Sequence, residues 1–176
     1  MQALEVMAMN ASPDDFLLFF FSGHGMIADD DISLVVDGYG NLIQGHLIRQ
    51  WAHDTQDWCD YVTVIIDACF AEGVFTNFFN RVDLWSDPWV VVFSSILSHQ
   101  PSFLFWEYLV DGTIVWLSVY TYFFCYTIID FNHRIFTNQQ LADSVFPHVA
   151  SFYWPDEQFP TYDSPLGFMH LSFGRL

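Results

Sequence analysis

"YVTVIIDACFAEG", residues 61–73, decides how this chain folds. Its first six residues are β-prone with no polar alternation, and the run halts at Asp67. A run that is apolar on both faces reads as a strand of a parallel sheet covered on two sides. Two other runs share this character. "FLLFFF" (16–21) stops at Ser22-Gly23, and "WVVVFSS" (89–95) ends in polar residues.

The connections fit the same sheet. "ISLVVDGYGNLI" (32–43) is two β-prone stretches around a Gly-rich turn, the pattern of a hairpin. "QGHLIRQWAHDTQ" (44–56) places Leu47, Ile48 and Trp51 on one face of a short helix. Strand, helix and strand in that order predict a right-handed crossover between parallel strands, with "FLLFFF" as a central strand. "TNQQLADSVFPHVASF" (137–152) predicts a second helix through Leu141, Val145 and Phe146, ended or kinked by Pro147. "GFMHLSF" (167–173) reads as a closing strand, and "DGT" (111–113) as a turn. The fold expected is α/β, a three-layer α/β/α sandwich with a mostly parallel sheet, over a single domain spanning 1–176.

Composition narrows the partners. The chain has 21 acidic residues against four arginines and no lysine, a formal charge of −17. Nucleic-acid binding needs cations to replace phosphate counterions, so nucleic acid is excluded as a partner class. Cationic peptides or metal ions would be attracted instead, while the acid also keeps an apolar surface soluble. Cys59, Cys69 and Cys125 are too few and scattered for a disulfide framework or zinc site, which suits a reducing, cytoplasmic setting. The first ten residues lack the features of a secretory signal. Residues 112–129 form an uncharged stretch of membrane-spanning length, but its Thr, Ser and Tyr content and acidic flanks favour a buried soluble element.

In open α/β sheets, ligands gather beyond the carboxyl ends of the strands. His24 and Cys69 each follow such an end, with a helix between them in sequence. A thiol attacks a carbonyl as thiolate, or with a base to take its proton, and an imidazole serves both needs. Glycines on either side of His24 allow a sharp turn and close approach. The Gly25 and Cys69 N–H groups are candidate donors to an oxyanion.

"FFFSGHGM" (19–26) followed by "VIIDACFAEG" (64–73) resembles the caspase and metacaspase superfamily of cysteine peptidases, more distantly legumain and gingipain. Residues 3–25 look like the helix and strand leading to the family histidine. "VVVFSSILSHQPS" (90–102) looks like the strand and loop that shape the cleft, and "FPTYDSPLGFMHLSF" (159–173) like the closing segment of prokaryotic members. The resemblance implies His24 as general base, Cys69 as nucleophile, and the Gly25 and Cys69 amides as oxyanion hole. It implies Asp67, Ser94 and Ser95 as substrate-binding residues, with Asp67 receiving a basic P1 side chain; the alternative for Asp67 is a cap on the following helix. The partner would be a peptide or protein substrate. No cofactor is expected, although Asp29, Asp30 and Asp31 could serve calcium activation of the kind some metacaspases need. The other histidines, His99 among them, are expected to be structural; a substrate contact is the alternative for the loop at 99–102, which sits where the family's cleft-lining loop falls.

Two departures from the family pattern set up an alternative. After the cysteine the family commonly has a small residue and then Gly, whereas here the run is Cys69-Phe70-Ala71-Glu72-Gly73, with an acid that would disfavour a nearby thiolate. The leading strand, helix and strand of family domains have no counterpart, which predicts a poorly covered sheet edge and self-association or a missing N-terminal segment. An inactive caspase-like interaction module, or a fragment, is the competing expectation.

Overall fold

The computed structural model describes residues 2–28, 31–55, 58–59, 61–74, 90–96, 102, 104–108, 111–131, 135–152, 158–163 and 173. It is a mixed α/β fold built on a parallel sheet with helices. Strands β1 (Phe16–Ser22), β5 (Tyr61–Asp67) and β6 (Val90–Ser94) run parallel, and β9 (Thr161–Asp163) adds antiparallel to β6, giving the order β1-β5-β6-β9.

The 61–67 run sits in the middle because both its faces are apolar. Val62, Val64 and Ile66 join Val90 and Val92 in one core with Phe19, Ile32, Leu34, Ile48 and Trp51. Ile65, Val91 and Phe93 point into a second core with Tyr120, Phe124, Leu141, Val145 and Val149. This is the two-residue period of a strand, with every position after Tyr61 buried. Each such side chain contributes about 1.5–3 kcal/mol of transfer free energy. The 16–21 run behaves differently. It forms the sheet's edge rather than a central strand, and Leu18 and Phe20 remain 42% and 45% exposed on one face.

The predicted hairpin is present and larger than expected. β3 (Asp31–Val35) pairs antiparallel with β4 (Leu42–Gln44), closed by a turn in which Asp37 accepts from the Tyr39 and Asn41 amides. β2 (His24–Ala28) pairs on the other side of β3, so the Gly-His-Gly segment opens a strand of a separate three-stranded sheet instead of a free turn. Helix α2 (Gly45–Thr55) follows and buries Ile48, Trp51, Ala52 and Thr55, while Leu47 is half-buried. The Trp51 indole N–H donates to the Leu4 carbonyl at 3.0 Å, tying α2 to α1 (Gln2–Met9).

Residues 112–129 are not one element. β7 (Leu104–Tyr108) and β8 (Ile114–Ser118) form a hairpin, and α3 (Val119–Asp130) begins directly after it. Ser118 causes the break: it has extended backbone and its Oγ accepts from the Thr121 N–H, so it starts the helix. Among the described residues, no helix is long and apolar enough to cross a membrane.

Helix α4 (Asn138–Phe152) runs on through Pro147, which does not end it. Thr137 and Gln140 cap its start reciprocally, and burial of Leu141, Ala142, Val145 and Val149 along one face outweighs the roughly 3 kcal/mol local cost of an interior proline. The expected closing strand at 167–173 lies outside the described residues except for Phe173, whose ring stacks on Phe136. The strand that does close the sheet is β9.

Candidate active site at the carboxyl edge of the sheet

The register places the two candidate loops side by side. Ser22 pairs with Asp67 at the carboxyl end of β1 and β5, and the Gly23 N–H donates to the Asp67 carbonyl at 2.9 Å. His24 and Cys69 both lie two residues beyond that last pair. Gly25 then presses on the Cys69 main chain. A Cβ at position 25 would overlap the Cys69 carbonyl oxygen, and would stand 3.1 Å from its carbon and 3.2 Å from the Ala68 Cβ. The glycine is therefore required for close approach between the loops. His24 itself is exposed, and Cys69 is half-buried and free.

Beyond Cys69 the chain turns abruptly. Phe70 holds a left-handed φ of 63°, a conformation that costs a non-glycine residue about 1–2 kcal/mol. Its ring packs against the first core, which offsets that cost and points the next residues into a 3-10 turn, Ala71–Val74. Glu72 lies in this turn with its N–H on the Ile96 carbonyl at 3.1 Å. Among the described residues, no acceptor takes the Cys69 N–H.

Asp67 is 2% exposed and hydrogen-bonded through both oxygens. Oδ2 accepts from the Thr121 N–H at 3.2 Å, from the Thr121 hydroxyl and from Ser22 Oγ at 3.4 Å; Oδ1 accepts from Ser102 Oγ at 3.2 Å. Asp67 thus faces the amino end of α3, where the helix dipole and unpaired N–H groups favour an anion. It caps a helix, as the alternative held, but the helix is α3 and not the turn that follows Cys69. Its charge reaches further. Burial, reinforced by Asp67, pushes the Tyr120 phenol well above its ordinary value, and burial with the same charge pushes the Cys125 thiol up.

Ser94 and Ser95 are buried, at 1% and 0% exposure, so neither presents a surface to a substrate in this structure. Ser95 braces the loop that carries Cys69: its N–H donates to the Ile66 carbonyl at 2.9 Å and its Oγ to the Ala68 carbonyl at 3.4 Å. Gln158 Nε2 holds the Ser95 carbonyl at 2.8 Å. Sequence reasoning missed Thr121 and the way Ser102 is used. Thr121 had a local signal in the Ser118-x-x-Thr121 spacing at a helix start; its bond to Asp67 had none.

Asp29 and Asp30 lie outside the described residues. Asp31 is engaged structurally. It accepts from the Ile32 and His46 N–H groups at 2.9 and 2.8 Å and pairs with Arg49 at 3.2 Å. Burial works to raise its pKa, but the His46 amide, the Arg49 guanidinium and the Ile32 amide together hold it below the ordinary value. Arg49 also donates to the Val74 carbonyl at 2.6 Å, fastening α2 to the end of the turn after Cys69. Among the described residues, no group of three or more His, Cys, Asp or Glu side chains could hold a metal ion.

No family model and no curated protein matches this chain, so the site is read from its own geometry.

Proposed function

We propose that the chain is a caspase-like cysteine peptidase domain, its sheet the middle of a three-layer α/β/α arrangement, that hydrolyses peptide bonds. The supporting observation is the contact of the Gly25 and Cys69 main chains at the shared carboxyl edge of β1 and β5. Cys69 Sγ attacks the scissile carbonyl carbon as His24 accepts the thiol proton. The C–N bond breaks, His24 returns the proton to the leaving amine, and a thioester remains. Water, deprotonated by His24, attacks the thioester and releases the acid and the thiol. The Gly25 and Cys69 amides serve the oxyanion. A basic P1 residue suits a domain of charge −17 with Asp67 beneath the cleft. To touch the carboxylate, that side chain has to displace Ser22 or Ser102. Three free cysteines fit a reducing, cytoplasmic setting.

The test is hydrolysis of Arg- and Lys-terminated reporter peptides by the full chain and by Cys69→Ala. Activity lost with the thiol is the expected result, and equal hydrolysis by both proteins sinks the reading. A second reading, an inactive interaction module of the same fold, is favoured by Asp67 already being engaged and by the burial of Ser94 and Ser95. An acyloxymethyl ketone with a basic P1 separates the two, because the inactive module would show no selective label on Cys69.

A further inference from the structure

Ser102 is half-buried and touches both halves of this edge. Its N–H donates to Cys69 Sγ at 3.3 Å, and its Oγ donates to Asp67 Oδ1 at 3.2 Å. The other Asp67 oxygen is fixed by Thr121 at the start of α3. A hydrogen-bonded run therefore leads from a helix amino terminus, through a buried carboxylate and a serine, to the sulfur.

We propose that Ser102 is a positioning residue for the Cys69 thiol. The amide does the electrostatic work and the hydroxyl does the placing. A sulfur accepts a hydrogen bond far better as thiolate than as thiol, so an N–H aimed at Sγ favours the charged form. A main-chain amide in a loop has no fixed position of its own, and the Ser102 hydroxyl, anchored to Asp67, holds it over the sulfur. Asp67 then acts on the thiol through Ser102, and its pocket role becomes secondary to its role as an anchor. The purpose rests on the peptidase reading above; the chemistry of the contact does not.

The titratable groups on the elements that meet here are His24 on β2, Tyr61 and Asp67 on β5, Glu72 on the 3-10 turn, and Tyr120, Tyr122, Cys125, Tyr126 and Asp130 on α3. Substitutions at position 102 leave all of these side chains in place and remove only the donor to Asp67.

The experiment follows iodoacetamide modification of Cys69 against pH, resolved at the peptide level by mass spectrometry, in the full chain. Ser102→Ala is expected to slow Cys69 modification at neutral pH severalfold relative to the parent and to change the shape of the pH profile. Ser102→Thr, which keeps the hydroxyl, is expected to restore the profile. If the Ser102→Ala profile overlays the parent, or Ser102→Thr fails to rescue it, the proposal is overturned. Should Ser102→Ala not fold, Ser102→Thr and Ser102→Val provide a pair of equal shape, and identical profiles for those two overturn it equally. Failure of the peptidase reading looks different. Reporter peptides would then survive while the modification profile still depends on the hydroxyl.

Discussion

Asp31 and Asp67 are both strand-end aspartates, yet they are held by opposite chemistry. Asp31 opens β3 and meets the charged Arg49, the His46 ring and two amides. Asp67 closes β5 and is held by three hydroxyls and the N–H of Thr121. The chain has four arginines and no lysine, so cations are scarce. Arg49 is the one arginine among the described residues, and it is placed where it can link α2, β3 and the turn after Cys69. At Asp67 a helix amino terminus does the work a cation would do elsewhere, with dipoles and fixed donors. The lesson is that an acidic chain can bury a carboxylate beside a candidate thiol without surrendering one of its few positive charges.

The comparison breaks hardest at Asp67. Asp67→Ala leaves the Thr121, Ser22 and Ser102 donors without their acceptor, and is expected to cost about 3 kcal/mol, the upper end of the scale for leaving buried donors unsatisfied. Urea denaturation of parent and variant measures it; a loss under about 1 kcal/mol would show that water or a rearranged partner replaces the carboxylate.

Arg49→Leu should cost less, about 2 kcal/mol, because Asp31 keeps its two amide donors and only the Val74 carbonyl loses its partner outright. The same denaturation experiment ranks the two sites, and an Arg49 loss exceeding the Asp67 loss would reverse the comparison.

The smallest effect is the response to acid. The Asp31 carboxyl is held below the ordinary value of 3.8, so its contribution is fully present above that pH and disappears as pH falls through the lowered value. Denaturation midpoints at pH 6 and pH 3, compared between the parent and Arg49→Leu, should show a weaker acid loss in the variant, whose Asp31 has lost the guanidinium. Equal losses would mean that Arg49 does not sustain the shift.

Much of the architecture was legible. The runs at 61–66 and 89–95 read as strands buried on both faces, and residues 62–67 and Val90–Ser94 are buried so. The turn at Asp37–Gly40 and the amphipathic helix through Ile48 and Trp51 followed from local chemistry. The meeting of the Gly25 and Cys69 main chains needed only the parallel order of β1 and β5, which the crossover predicts. Other features had competing local signals. The Gly-His-Gly segment looks like a turn, and only its pairing with β3 makes it a strand. The apolar run from Gly112 to Ile129 has no charge to mark its interior, so one serine at 118 decides where strand gives way to helix. Pro147 is a local stop signal overridden by the apolar face of α4.

By itself the sequence determined which segments must bury both faces and in what order they run, because burial of Val, Ile and Phe and the two-residue strand period act within a few neighbouring residues. Only the tertiary structure decided what surrounds Cys69. Ser102 and Thr121 lie 35 and 54 positions from Asp67 in the chain. No spacing rule joins them to it; they meet because the sheet's carboxyl edge, a helix amino terminus and a buried carboxylate have to satisfy one another in the same space.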